Sequence, residues 1–239
     1  MPQIVTYRFS LLVLLAILWM QSIQSQTTEP SSIAIPDQKL NNLIQGRTYF
    51  PNYRTVVGSQ YLTEELRVGE TKLLGEVYAG LPFLYDIYTD DLILLDWQSL
   101  GYGRIRLNKE HIESFEFDNR LFINPNYNEY KSYDLKDKFY EVIGTGAVSL
   151  LINRQLQIRE RSSVDYFIRN DSKILMHSDQ IFKFKNKRTF LKSLPIDTKD
   201  DAAEYIRKNK ISLKKAKDAE WIGLISYINE LIRNKSEMD

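Results

Sequence analysis

Four aspartates, Asp86, Asp90, Asp91 and Asp96, stand among apolar residues in the stretch LPFLYDIYTDDLILLDW at residues 81–97. Clustered carboxylates suit three kinds of chemistry: chelating a hard cation, sharing a proton as an acid–base pair, or accepting backbone N–H groups in a turn. A calcium loop of the EF-hand type needs Asp or Asn at alternate positions, a glycine and a distal Glu. This stretch has neither that spacing nor the glycine. A carboxylate pair for glycoside hydrolysis can be drawn from anywhere in a chain, so spacing alone leaves a hydrolase open. The turn reading asks least: Asp90 and Asp91 reverse the chain between two strands and hydrogen-bond nearby backbone N–H groups. Asp86 is the carboxylate to inspect, because a strand position beside aromatic rings is unusual for a free carboxylate.

Other reactive patterns are sparse. His111 and His177 are the only histidines, and KEHIE lacks the helical H-E-x-x-H spacing of a zinc site. Both read as ordinary surface or strand residues. The GTG at residues 144–146 lacks the third glycine of a dinucleotide loop and precedes a strand pattern, so it reads as a tight turn. No G-x-S-x-G elbow occurs. The absence of cysteine excludes disulfides, thiolate metal sites and cysteine nucleophiles, and suits passage into an oxidising compartment. No catalytic residue, metal ligand or cofactor is therefore predicted.

Basic residues offer a different chemistry. FKFKNKR at residues 182–188 alternates rings and charges; as a strand it turns Phe182 and Phe184 inward and Lys183, Lys185 and Lys187 outward. Residues 183–217 hold 12 Lys or Arg against 4 Asp or Glu, in a chain of formal charge +1. Lys183, Lys185, Lys187 and Arg188 are thus candidates for contact with an anionic partner, a phospholipid or lipopolysaccharide surface or an acidic envelope protein. The alternative is a solvated face balanced by the acidic β region. A net charge this small provides no general field for nucleic acid, which is not an expected partner.

These side chains need a scaffold, and the pattern is mainly that of strands. Val77, Ala79, Leu81, Phe83, Tyr85 and Ile87 recur with period two, predicting one buried face, and Pro82 predicts an edge strand or a bulge. Asp118 and Asn119 between FEF and RLF mark a tight turn. FYEVIGTGAVSLLINRQLQI reads as two strands joined at residues 144–146, and VDYFIRNDSKILMH as a hairpin turning at Asn170, Asp171 and Ser172. A membrane barrel fits poorly, since several strands fall short of the ~10 residues each would need. Three helices follow: a short one around RTFLKSL, one opening at Thr198 with Asp200 and Asp201 in its first turn, and one with an apolar stripe through Trp221, Leu224, Ile225, Ile228, Leu231 and Ile232. The expected fold is α+β: an antiparallel meander, as a sandwich or curved half-barrel, with C-terminal helices packed on it.

The N-terminus has Arg8, an apolar stretch of about a dozen residues and then Ser22, Ser25 and Gln26, the layout of a secretory signal peptide. Residues 1–25 are assigned to that signal, with an uncleaved anchor as the alternative. Residues 26–42 read as a flexible leader, 43–187 as the β-rich region and 188–239 as the helical region. No later stretch is apolar and long enough to span a bilayer.

LIQGRTY at residues 43–49, LPFLYDIYTDDLILL, IRLNKEHIESFEF, FYEVIGTGAVSLLINR and YIRKNKI...WIGLISYINEL together resemble a family of uncharacterised secreted proteins from Bacteroidota. Ile44 and Gln45 depart from the Tyr and Asn usual in the first motif. The resemblance implies export and a bacterial cell-envelope location, periplasmic or extracellular, with no activity to carry over; Asn170 and Asn234 would then go unglycosylated. The expected function is a non-enzymatic binding or scaffolding module, with a periplasmic carrier of a lipid or other apolar ligand as the alternative and a carboxylate-dependent hydrolase third.

Overall fold

The computed structural model describes residues 46–51, 53–96 and 103–237. The expected signal peptide, the leader, Trp97 and the first residues of the LIQGRTY motif lie outside the described residues. Among the described residues, eleven strands form one open antiparallel sheet. They are β1 (Arg47–Thr48), β2 (Arg67–Leu73), β3 (Glu76–Asp86), β4 (Asp91–Asp96), β5 (Gly103–Arg106), β6 (Ile112–Phe117), β7 (Arg120–Ile123), β8 (Tyr140–Ile143), β9 (Val148–Asn153), β12 (Ser172–His177) and β13 (Gln180–Lys183). Two more, β10 (Leu156–Arg161) and β11 (Val164–Arg169), pair only with each other as a separate ribbon.

The spatial order β1-β5-β4-β3-β2-β6-β7-β8-β9-β12-β13 contains two meanders that run in opposite directions from the central β2–β6 pair. The sheet does not close, and among the described residues no second large sheet faces it as a sandwich would require. Four connections are two-residue turns with both φ angles positive: Leu74 and Gly75, Asp118 and Asn119, Ser162 and Ser163, Ser178 and Asp179. This geometry matches the right-handed twist of the flanking strands.

Three helices, α1 (Lys187–Lys192), α2 (Lys199–Lys208) and α3 (Asp218–Ser236), follow the last strand. Asn186 caps α1 by accepting from Thr189 N–H, and Asp200 and Asp201 favour the N-terminal end of α2. Trp221, Leu224, Ile225 and Ile228 of α3 are buried with Val148, Leu150, Ile152 and Leu175 of the sheet. The opposite face carries a smaller cluster of Ile123, Tyr140, Leu151 and Ile174. Strand β9 is accordingly buried at every position, which explains its unbroken VSLLIN. No helix among the described residues is long and apolar enough to cross a membrane.

Two expectations about strands are tested by the register. Of the two alternatives raised by Pro82, the bulge is present and the edge position is not: β3 lies between β4 and β2. Its alternation changes phase, which corrects the single period-two face: Tyr78 is buried while Val77 and Ala79 are exposed, yet Leu81 and Phe83 are buried as predicted. The cause is a bulge in which Gly80, at φ 71°, is skipped as Gly69 pairs with Leu81 and Glu70 with Ala79. Pro82 is tolerated because pairing with β4 begins one residue later, at Phe83. The second correction concerns residues 164–177. β11 and β12 do not form a hairpin with each other; β11 pairs with β10, and β12 returns to lie against β9.

Candidate functional site

Asp86 ends β3 with its side chain wholly buried. Its carboxylate accepts from Tyr49 O–H at 2.6 Å, Gln60 Nε2 at 3.3 Å, and the backbone N–H groups of Tyr88 and Thr89 at 2.9 and 3.0 Å. Gln60 also donates to the Tyr49 hydroxyl at 2.7 Å. Burial, and then the bond to Asp86, push the Tyr49 phenol well above its ordinary value. Asp86 thus fixes the β3–β4 turn and tethers the loop through Gln60; its nearest polar neighbours are a phenol and an amide, not a second carboxylate.

Asp90 lies in the turn at φ 66°, as expected, but its carboxylate faces inward. It accepts from Tyr85 O–H at 2.6 Å, Lys109 Nζ at 2.7 Å and Phe139 N–H at 3.3 Å. Burial raises its pKa, against the opposing pull of Lys109. Asp90 therefore joins three distant segments, whereas the local turn bonds come from Asp86. Asp91 opens β4, opposite Asp86, with Arg106 Nη1 at 3.5 Å; the side chain of Asp96 lies outside the described residues. Rings of Tyr85, Phe115, Phe122 and Phe139 pack edge-on or stacked beside this end, with centroids 4.7–6.0 Å apart.

Among the described residues, no three His, Asp or Glu side chains come together as a metal site would need. His177 Nε2 is 2.6 Å from the Ser193 carbonyl, and its ring stacks on Phe182 at 4.4 Å. His111 sits in a 3₁₀ turn far along the chain from it. The GTG glycines serve packing: a Cβ on Gly144 would meet Ile225 at 2.5 Å, and one on Gly146 would meet Asn229 at 2.5 Å. This close approach lets Asn229 bond both Val148 N–H and Val148 C=O at 2.8 Å, so a side chain of α3 continues the strand ladder.

The basic residues converge more than the acidic ones do. A cleft of about 600 Å3 is walled by Lys136, Lys173, Lys183, Lys185 and Lys214, with only Asp134 and Asp171 as carboxylates. Phe184, Ile174, Leu213 and Tyr140 supply its apolar part. Lys183 ends β13 and Lys185 follows it, both exposed, with Phe182 and Phe184 turned toward the core as the alternation predicted. Lys187 and Arg188 belong instead to the first turn of α1 and do not wall the cleft. Lys136, Lys173 and Lys214 come from the β7–β8 loop, β12 and the α2–α3 loop, and no local pattern marks them.

Beside this cleft, Arg154 is 3% exposed and holds a charge network. It bonds Glu141 through Nε and Asp171 and Asp218 through Nη1, both at 2.9 Å; Arg120 adds a two-point contact to the same Glu141 at 2.9 and 2.7 Å. Burial opposes the charge on Arg154, but Glu141, Asp218 and Asp171 outweigh it and raise the pKa. Asp171 is held below the ordinary carboxylate range: burial would lift it, and Arg169, the Gln155 N–H and Arg154 prevail.

No protein-family profile, curated protein or solved structure matches the chain.

Proposed function

We propose that the chain is an exported, non-enzymatic binding module of the bacterial cell envelope that presses its lysine cleft onto an anionic lipid surface. The supporting observation is convergence: five lysines from four separate segments line one cleft in which two carboxylates offset them. A negatively charged leaflet attracts each such lysine by about 1 kcal/mol, and the attraction falls within a Debye length. Phe184, Leu213 and Ile174 suit the apolar shoulder of a headgroup. Export and the Bacteroidota envelope belong to the same proposal; they rest on the N-terminal apolar stretch and on the motif resemblance. The carrier reading has less support, because Phe190, Trp221, Leu224 and Ile225 fill the space between helices and sheet that an apolar ligand would need.

Vesicle co-sedimentation tests this. Wild-type protein should bind phosphatidylglycerol vesicles and not phosphatidylcholine ones, with affinity falling steeply as salt rises. The triple variant K183Q/K185Q/K214Q should bind about a hundred-fold more weakly, from ~1 kcal/mol for each lysine. K187Q/R188Q, outside the cleft, should lose much less. Equal losses in the two variants would mean a diffuse basic surface in place of a site, and an undiminished triple variant would reject the membrane reading.

A further inference from the structure

A second cavity, of about 450 Å3, shares Asp171 and Lys173 with the lysine cleft and is walled also by Arg120, Arg154, Arg169 and Lys217. Two observations single it out. First, Arg154 Nη2 is buried with no hydrogen-bond partner, although the other two nitrogens of the same guanidinium are fully engaged. A buried donor without an acceptor costs about 1–3 kcal/mol, so such an atom in a polar wall calls for an explanation. Second, Lys173 makes no ion pair among the described residues; its ammonium lies 5.8 Å from the Trp221 ring centroid. Five cations, Arg120, Arg154, Arg169, Lys173 and Lys217, meet three carboxylates, Glu141, Asp171 and Asp218, which leaves a surplus of two positive charges. A phosphomonoester carries about −1.5 to −2 near neutral pH and three acceptor oxygens.

We infer that this second cavity binds a phosphate-type oxyanion, with Lys173 and Arg154 as the principal donors and Arg169 and Lys217 at its rim. Burial lowers the Lys173 pKa and outweighs the opposing pull of Asp171 and Asp218, with Arg154 and Arg169 adding to the effect, so an arriving dianion would meet an ammonium that makes no direct ion pair among the described residues. Asp171 and Asp218 limit the site from the other side, as their like charge keeps the anion against Lys173. The site stands apart from the membrane reading, since free phosphate needs no bilayer. A free ion and a lipid headgroup share this phosphate chemistry, and the two sources are separable by experiment.

The test uses the full chain and isothermal titration at low ionic strength, with inorganic phosphate as one probe and micelle-free dihexanoyl phosphatidic acid as the other. Saturable one-to-one binding of phosphate is expected, with K173M about ten-fold weaker, since K173M keeps the apolar stem over Trp221 while removing a charged donor. K217Q should weaken binding a few-fold. Tighter binding of the lipid assigns the site to a headgroup, and equal affinity assigns it to the free ion. Absence of saturable phosphate binding in the wild type would show a structural charge network only, and unchanged affinity in K173M would overturn the inference. If K173M does not fold, K217Q decides in the same way. Loss of vesicle binding in K183Q/K185Q/K214Q with phosphate binding intact would uphold both sites separately.

Discussion

The two buried charge clusters of this fold solve opposite problems. At the Asp86–Asp90 end, each carboxylate receives three or four donors, mostly phenols, an amide and backbone N–H groups, all supplied from within the fold. At the Arg154–Lys173 end, cations outnumber carboxylates, one guanidinium nitrogen is left unpaired and one ammonium faces an aromatic ring. A satisfied cluster holds the chain together, and a cluster with donors to spare can hold something else. Asp86 and Asp90, which look reactive in the sequence, are engaged in holding the fold, and the surplus of donors lies among residues scattered between Arg120 and Lys217.

The largest test of that contrast is removal of Arg154. R154M leaves Glu141, 4% exposed, with only Arg120 beside it, and uncovers Asp171. Breaking a buried charge pair from one side costs about 3–5 kcal/mol, and the loss should appear in urea unfolding as a lower midpoint. D86N should cost less, about 1–3 kcal/mol, because its amide oxygen can still accept from the Tyr88 and Thr89 N–H groups. A larger loss in D86N than in R154M would reverse the ranking of the two clusters.

The clusters should also titrate with opposite sign. Asp171 is depressed below 3.8 in the folded state, so its contribution is present above that value and lost as pH falls through its folded pKa. Asp90 is raised above 3.8, so the folded state holds its proton longer, and stability is lost as pH rises through its folded pKa. Urea midpoints measured from pH 3 upward should show the gap between wild type and D171N opening as pH rises. The gap between wild type and D90N should shift the other way above about pH 4. Parallel slopes for the two variants would contradict the distinction.

What the sequence carried, and what it hid, follows the same division. Local features were legible: Asp118–Asn119 as a positive-φ turn, the apolar stripe of α3, the inward rings and outward lysines of residues 182–185. Each depends on neighbours a few residues apart. Gly80 defeats a period-two count because a single skipped residue inverts the face of everything before it. The β10–β11 ribbon was hidden because Ser162 and Ser163, a pair with weak turn preference, make the reversal that Asn170 and Asp171 advertise. At the candidate site, Lys183 and Lys185 were marked by their alternation, but Lys136 and Lys173 meet them only through the sheet order β8-β9-β12-β13, and Lys214 through the loop between α2 and α3. No short-range signal encodes a convergence of that kind.

The smallest predicted effect sharpens the comparison most. Lys109 is the cation of the acidic end, as Arg154 is of the basic one, yet its loss should be mild. In K109M the methionine stem can keep the apolar contact with Phe139, over whose ring the ammonium stands at 5.2 Å. Asp90 would retain Tyr85 O–H and the Phe139 N–H, and its carboxyl can take up a proton instead of remaining an unpaired buried charge. R154M differs in that it takes one shared cation from three carboxylates at once, Glu141, Asp171 and Asp218. K109M should therefore cost about 1 kcal/mol near pH 5 and more at pH 8, where holding the proton on Asp90 is harder. A loss as large as that of R154M, or one independent of pH, would mean that Lys109 and Asp90 behave as an obligate ion pair and that the two ends of the molecule are built alike.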